Sequence, residues 1–139
     1  MVQHKDLRVG NYIDYQDSVY KVTAISPKKI QLQPAAGVEA IKVDVALLNG
    51  ITVTDELVRQ CGFEQNWLFP HLKAYRHKKH LFNINIVGKA CEVSFGLIAA
   101  NMAIIYQRNM YLHQLQNLYY ALTLEELEID WPAQTEGSS

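Results

Sequence analysis

Charged residues are nearly missing between positions 80 and 125, and this restricts the fold more than any other feature of the sequence. Those present are Lys89, Glu92 and Arg108. Within this stretch, YLHQLQNLYYALT (111–123) has apolar residues at helical spacing. A helix with one face in water normally carries lysine and glutamate on that face, and this one carries neither. We therefore expect at least half of its polar face to be covered.

At about 100° per residue, this helix has an apolar arc and a neighbouring polar arc. The apolar arc consists of leucine and tyrosine: Tyr111, Leu112, Leu115, Leu118, Tyr119 and Leu122. His113, Gln116, Asn117 and Tyr120 fill the neighbouring arc, and Gln114 lies beyond it; these five are the candidate interaction residues. Because buried polar groups need hydrogen-bond partners, this arc either binds loops and strand ends of its own chain, contacts a second copy or another protein, or lines a small-molecule site. We favour hydrogen bonding within the chain.

The first fifty residues predict short β-strands joined by tight turns. Four segments have strand-forming patterns: NYIDYQ (11–16), VYKVTAI (19–25), KIQLQ (29–33) and VEAIKVDV (38–45). Turn signals separate them at Asp17-Ser18, at Pro27 and over 34–37. Four such short strands cannot bury two faces as a flat sheet, so we expect 1–50 to form a small SH3-like β-barrel unit.

A linker and short helix over 51–63 follow this unit. Thr54 is the expected N-cap of the helix, and Gly62 follows its last turn. Asp55 and Glu56 suit the positive N-terminal end. Because the helix has barely two turns, packing rather than helix propensity must hold it.

An antiparallel meander of three to four strands is predicted beyond the short helix. Apolar and polar residues alternate in KKHLFNINIV (78–87) and ACEVSFGLI (90–98), on either side of a hairpin turn at Gly88-Lys89. The C-terminal helix covers the meander and completes a unit of 64–131, and 132–139 is a flexible tail. The fold class is α+β: a small barrel unit, a short helix, and an antiparallel β-meander packed against a C-terminal helix.

Composition makes several classes of function unlikely. A formal net charge of −1 gives no general attraction to nucleic acid or to anionic membranes. The polar start of the chain indicates no secretory signal, and no apolar run is long enough to cross a membrane. Cys61 and Cys91 lack zinc-type spacing and are expected to be buried free thiols. We expect a cytoplasmic protein without a cofactor or metal.

A basic patch over 73–80 gives an alternative function, weak nucleic-acid binding. Its candidate contacts are Lys73, Tyr75, Arg76, Lys78 and Lys79. The predicted barrel could add a stacking surface made of Tyr12, Tyr15 and Tyr20 with Lys21. The other interpretation is a solvated hairpin tip whose charges protect a β-edge from aggregation. So short a patch in a neutral protein favours the hairpin tip.

Catalytic signals are missing from the sequence. His113 lies beside Gln116 and Asn117, but no acid within one helical turn could orient it as a general base. No nucleophile elbow, phosphate-binding loop, dinucleotide fingerprint or HExxH motif occurs. The chain is therefore not expected to be an enzyme. A small-molecule enzyme or binding site on 113–120 is the third alternative.

Three stretches resemble a known family of short proteins. DLRVGNYIDYQDSVYKVTAI (6–25) is similar to its "L-R-x-G-N-x-V" opening, and LNGITVTDELVRQCGF (48–63) to its "I-x-L-T-x-E-x-L-x-x-x-G-F" connector. YLHQLQNLYYALTLEEL (111–127) resembles its most specific element, "Y-V-H-Q-L-Q-N-L-Y-x-A-L-T-G-x-E-L". This family is common in Bacteroidetes and in their phage-like and mobile elements.

The resemblance implies a cytoplasmic bacterial or phage-encoded protein with no catalytic residues to carry over, since the family has no assigned activity. Leu124 departs from the pattern, because the family usually has glycine there, which would end the helix in a left-handed conformation. With leucine, the helix either continues toward Leu127 or restarts at Thr123. The leading hypothesis for function is a non-enzymatic interaction module that self-associates.

Overall fold

The computed structural model describes residues 2–34, 39–65, 73–77, 79, 82–87, 90–95, 103–108 and 110–131. These residues form two antiparallel sheets and two α-helices, so the predicted α+β class is confirmed. The chain divides into two compact units. Among the described residues, the first unit comprises 2–52 and 111–117, and the second comprises the rest. No helix in the described part of the chain is long and apolar enough to cross a membrane.

The first unit contains a four-stranded antiparallel sheet with the order β1-β2-β3-β4. Its strands are β1 (Tyr12–Tyr15), β2 (Ser18–Ile25), β3 (Ile30–Pro34) and β4 (Ile41–Val43). Gln16 and Asp17 connect β1 to β2 with φ of 51° and 63°. Two successive positive φ angles are what a two-residue hairpin turn needs to match the strand twist. The turn therefore lies one residue earlier than the predicted Asp17-Ser18.

One face of this sheet forms the core of the first unit. The alternating strand residues point inward together with three residues from outside the strands, and the buried set is Val2, Leu7, Ile13, Val22, Ile30, Leu32, Val43 and Leu48. The pairing of β2 with β3 shifts between Val22 and Ala24, which is a β-bulge. A bulge bends its strand, so the sheet is curled rather than flat.

The open edge of β1 is paired in part. After β4 and a 3₁₀ turn at Val45–Leu47, the chain returns to this edge, where Asp14 and Asn49 exchange two backbone hydrogen bonds of 2.8 Å each. Within the described residues, no strand pairing joins β1 to β4, so a closed barrel is not found.

The second unit begins with helix α1 (Asp55–Gln60). The Thr54 hydroxyl accepts a hydrogen bond from Leu57 N at 3.2 Å, so Thr54 is the N-cap, as predicted. Gly62 follows the helix with φ 89°. This left-handed conformation has no steric cost for glycine, which explains the end of α1.

The sheet of the second unit has five strands rather than three to four. They follow chain order: β5 (Phe63–Gln65), β6 (Lys73–His77), β7 (Phe82–Val87), β8 (Ala90–Phe95) and β9 (Ala103–Arg108). The extra strand is β5, which pairs with β6 directly after α1 and is too short to show a clear alternation. The predicted hairpin turn at Gly88-Lys89 lies outside the described residues.

Helix α2 (Leu112–Thr123) is followed by a residue in the left-handed conformation, which leucine rarely adopts. Leu124 has φ 61°, and its N–H donates to Tyr120 O at 2.8 Å. A left-handed residue just past the helix end is a common way to stop a helix, and glycine is the usual choice. The helix therefore neither continues to Leu127 nor restarts at Thr123. Leucine adopts the conformation that glycine would.

Candidate functional site

The start of α2 is fixed within the first unit by the connector at 50–52. Leu112 N donates to Ile51 O at 2.7 Å, and Thr52 forms a β-bridge with Tyr111. Gly50 lies against the face of the Tyr111 ring, so closely that a Cβ there would overlap the ring carbons. Glycine is therefore required at position 50 for space.

Gln114 caps the same end of the helix. Its side-chain oxygen accepts a hydrogen bond from Tyr111 N at 2.9 Å. This is the glutamine half of a capping box, in which the third helical residue reaches back to the first free N–H. Gln114 is thus one of the candidate interaction residues for which the structure supplies an internal role.

Gln116 closes part of the exposed edge of β1. Its side chain is buried, with 1% exposure for the residue. The Oε1 atom accepts from Tyr12 N at 2.8 Å, and Nε2 donates to Gly10 O at 3.1 Å. An edge strand has backbone groups that point away from the sheet, and burying them without partners is costly. Gln116 supplies both partners.

Asn117 binds the segment just before β1. Its Oδ1 accepts from Asn11 Nδ2 at 2.8 Å and from Arg8 Nε at 3.1 Å, while its Nδ2 donates to Asp6 O at 2.8 Å. Asn11 is fully buried, and its own Oδ1 accepts from Arg8 N at 2.7 Å. Gly10 makes this tight course of the chain possible, because its φ of 101° favours glycine.

We call this set the arm–helix network; it consists of Asp6, Arg8, Gly10, Asn11, Tyr12, Gln116 and Asn117. The network joins two of the three stretches that carry the family resemblance, 6–25 and 111–127. The third stretch, 48–63, contacts the start of α2 beside the network. The helical period of 111–122 predicts which side chains are polar and inward. It does not indicate that their partners lie more than one hundred residues earlier.

His113 is a buried, neutral histidine beside the network. Its ring stacks on Tyr111 with centroids 6.1 Å apart and planes inclined by 8°. Burial lowers the pKa of His113 below its usual 6.5, and the charge of Asp6 offsets part of that effect. The Nδ1 atom is buried and has no hydrogen-bond partner. Among the described residues, no hydrogen bond to this nitrogen orients the ring as a general base requires.

Tyr120 lies apart from the arm–helix network, in the second unit. There the adjacent Tyr119 is buried, with its ring 5.2 Å from Phe82 and 5.0 Å from His77. Burial, followed by the charges of Glu125 and Glu128, raises the pKa of Tyr119 to about 12. Tyr120 faces the other way and is exposed. It is the most exposed of the candidate interaction residues.

Two lysines of the basic patch lie beside acidic side chains, and the tyrosine of the patch is buried in the core. Lys73 Nζ lies 3.7 Å from Asp55 Oδ2, and Lys79 Nζ lies 3.0 Å from Glu125 Oε1. Tyr75 is 3% exposed, which leaves no face for a nucleic-acid base. Arg76 is exposed, and Lys78 lies outside the described residues. Nucleic-acid binding through this patch stays a prediction.

The tyrosines of the first unit do not share one surface. Tyr15 and Tyr20 pack edge to face against the core, with ring centroids 5.7 Å apart. Tyr12 pairs with Lys21 on the opposite face, where Lys21 Nζ lies 5.9 Å from the Tyr12 ring centroid. A stacking platform built from all three rings would need both faces of the sheet.

Burial keeps the two cysteines in the protonated thiol form. Cys61 and Cys91 are buried free cysteines, and burial raises the pKa of both thiols, for Cys61 to about 12. A thiol with so high a pKa is protonated and is a poor nucleophile and metal ligand. No group of three or more His, Cys, Asp or Glu among the described residues could hold a metal ion.

Polar side chains line two of the clefts in the described part of the chain. One of about 530 Å³ lies in the second unit and is lined by Asp55, Glu56, Arg59, Gln60 and Asp130. The other, of about 510 Å³, lies in the first unit beside the arm–helix network and is lined by Lys5, Asp6, Leu7, Arg8, Gln114 and Asn117. Of these two clefts, the one in the first unit contains candidate interaction residues of α2, namely Gln114 and Asn117.

No protein-family model, curated protein or solved structure matches this chain.

Proposed function

We propose that this chain is a non-enzymatic interaction module that associates with a second copy of itself. An exposed apolar pair at the end of α2 supports the proposal: Tyr120 is 39% exposed and Leu124 is 77% exposed. Tyrosine is enriched among the residues that contribute most to binding at protein interfaces. A leucine at φ 61° is strained, and an interface contact would explain why a large apolar side chain stands there.

The non-enzymatic part of the proposal is supported by the state of the buried ionisable groups. The thiols of Cys61 and Cys91 are held protonated, and His113 is held neutral. A catalytic cysteine needs a lowered pKa to form its thiolate, whereas burial raises the pKa of both thiols here. The amides of Gln116 and Asn117 are engaged by backbone and side chains of the same unit.

The first unit is proposed to be an SH3-like partial barrel. The β-bulge in β2, the 3₁₀ turn after β4 and the Asp14–Asn49 bridge support this, because they bring a fifth segment to the edge of β1. A cytoplasmic setting agrees with two buried cysteines in thiol form. A bacterial or mobile-element origin rests on the family resemblance alone.

Sedimentation velocity over a hundredfold range of concentration tests self-association. We expect the weight-average sedimentation coefficient to rise with concentration for the natural chain. Leu124→Asn should abolish the rise, because asparagine tolerates a positive φ and removes the apolar side chain without new strain. Leu47→Asn is the matched control, since Leu47 is another exposed leucine, in the first unit.

Two results would count against the proposal. One is a monomer mass for the natural chain at every concentration. The other is an equal loss of association in Leu47→Asn and Leu124→Asn, which would indicate non-specific hydrophobic contact instead of a defined surface.

A further inference from the structure

His113 lies on the same face of α2 as the two amides that bind the chain before β1. Gln116 and Asn117 follow it by three and four residues, so the three side chains are neighbours on the helix. We propose that His113 is a pH-sensitive latch: when its ring takes up a proton, the N-terminal arm (residues 6–11) separates from α2 and uncovers the edge of β1. The proposal is independent of self-association, which involves residues of the second unit.

The His113 ring has no room for a second proton in the closed form. The residue is 1% exposed, and its Nδ1 is buried without a hydrogen-bond partner. Tyr111 stacks on the ring, with planes inclined by 8°. A protonated imidazole donates from both ring nitrogens, so Nδ1 would become an unpaired donor of a buried cation. Because burying an unpaired charge is costly, the charged ring must reach water or a new acceptor.

The charges that act on His113 come from the chain before β1. Burial lowers the pKa of His113, the carboxylate of Asp6 offsets part of that effect, and the positive amino terminus of the chain adds to it. The first seven residues of α2 with Tyr111, and the connector at 50–52, contain no charged residue. The other charged residues of the adjoining segments are Lys5, Arg8 and Asp14. Asp6 is thus the acid that attracts the proton, and its attraction does not outweigh burial while the arm is closed.

The junction between the arm and α2 is where the first unit can open with the fewest backbone bonds broken. On one side, the arm pairs with β2 through Gly10 N to Val22 O and Val22 N to Asn11 O, both at 2.8 Å. On the other side, α2 is held by the backbone bond from Leu112 N to Ile51 O. Between the two, the bonds come from the side chains of the arm–helix network. Opening there leaves both sets of backbone bonds in place.

The apolar contribution of the arm is also small. Leu7 is its member of the buried core set, and at 9% it is the most exposed residue of that set. Segments with few buried apolar contacts open locally at lower free energy than the core does. A proton bound only by the open form therefore shifts the population toward separation of the arm before the sheet unfolds.

Amide hydrogen exchange of the full-length chain between pH 7 and pH 5 tests the proposal. Two amides on the edge of β1 serve as reporters: Tyr12 N donates to Gln116 Oε1, whereas Asp14 N donates to Asn49 O. Separation of the arm from α2 removes the first partner and keeps the second. The protection factor of Tyr12, corrected for the pH dependence of unprotected amides, should fall by up to about thirtyfold, the limit for one histidine with an ordinary pKa. That of Asp14 should change by less than about twofold.

His113→Phe keeps an aromatic ring against Tyr111 and cannot take up a proton, so protection of Tyr12 should no longer depend on pH. His4→Gln is the matched control, because His4 is the other histidine of the first unit and its ring nitrogen lies 2.8 Å from Ser26 O. This variant should keep the response of the natural chain. If His113→Phe does not fold, the NMR signal of the His113 ring in the natural chain decides: it should titrate together with the loss of protection at Tyr12.

Three results would overturn the proposal. One is an equal loss of protection at Tyr12 and Asp14, which indicates unfolding of the whole unit. Another is a response of Tyr12 that persists unchanged in His113→Phe. The third is a His113 ring that titrates without any change in the protection of Tyr12.

Discussion

The two halves of helix α2 are stabilised in different ways. In the first half, Gln116 and Asn117 bind the start of β1 and the segment just before it. In the second half, Tyr119 packs its ring against Phe82 and His77. Hydrogen bonds therefore hold the first half of the helix in the first unit, and aromatic packing holds the second half in the second unit. This explains how a helix without charged residues can still carry polar side chains.

The aromatic half should show the largest loss on truncation. Tyr119→Ala removes a buried ring and leaves a cavity next to Phe82, so the free energy of unfolding should fall by about 4 kcal/mol. Urea denaturation followed by circular dichroism measures this loss. Tyr120→Ala, one residue further on the exposed side, is the control and should cost far less. Equal losses would contradict the packing account of this half.

In the hydrogen-bonded half, an apolar residue of similar size should be destabilising. Gln116→Leu removes the side-chain partner of two part-buried backbone groups, Tyr12 N and Gly10 O, so we expect a loss of about 3 kcal/mol. Gln114→Leu removes only the helix cap and should cost about 1 kcal/mol. A neutral or stabilising effect of Gln116→Leu in urea denaturation would show that packing, and not hydrogen bonding, holds this half as well.

Lowering the pH should reduce the free energy of unfolding through the protonation of His113. Its pKa is lowered in the folded state, so between about pH 6.5 and that lower value the unfolded chain binds a proton that the folded chain does not. The stabilising contribution is complete above pH 6.5 and is lost as the pH falls, by up to about 1.4 kcal/mol per pH unit. The carboxylate of Asp6 is the nearby charge that limits the loss.

The comparison that isolates this effect is the unfolding free energy of the natural chain and of His113→Phe, measured from pH 7.5 to pH 5. Phenylalanine keeps an aromatic ring against Tyr111 and cannot take up a proton. The variant should lose less stability over this range. Parallel curves would show that His113 does not account for the acid sensitivity.

Replacing Leu124 should have the smallest effect and the opposite sign. Leu124→Gly relieves a left-handed leucine at an exposed position, and the gain is partly offset by the greater freedom of glycine in the unfolded chain. We expect a net stabilisation of about 0.5–1 kcal/mol in urea denaturation. Leu47→Gly, at an exposed leucine without positive φ, should be destabilising. Destabilisation by both variants would contradict the strain at position 124.

Local patterns predicted the elements of this fold better than their connections. Alternation indicated most of the strands, and Thr54 and Gly62 marked the ends of α1, because these signals depend on neighbouring residues. The prediction placed the first hairpin turn one residue too late, at Asp17-Ser18 instead of Gln16-Asp17. The residue types at these positions do not show which two residues adopt positive φ angles. The short strand β5 was missed for lack of a pattern.

The candidate site could be predicted only in part, for the same physical reason. A charge-free helix implies that Gln116 and Asn117 are covered, and the structure places both in hydrogen bonds within the first unit. Their partners are mainly backbone atoms of Gly10, Tyr12 and Asp6, and a backbone atom has no signature in a sequence. The roles of Arg8 and Asn11 were missed because side-chain pairing at long sequence separation follows from the completed fold.

Amide hydrogen exchange at Tyr12 tests the central claim most directly, namely that a glutamine side chain of α2 closes the edge of β1. Tyr12 N donates to the side-chain oxygen Gln116 Oε1, whereas Val22 N donates to the backbone oxygen of Asn11. We expect slow exchange at both amides in the natural chain, and fast exchange at Tyr12 with Val22 still protected in Gln116→Leu. Exchange of Tyr12 at the rate of an unprotected amide in the natural chain would contradict it.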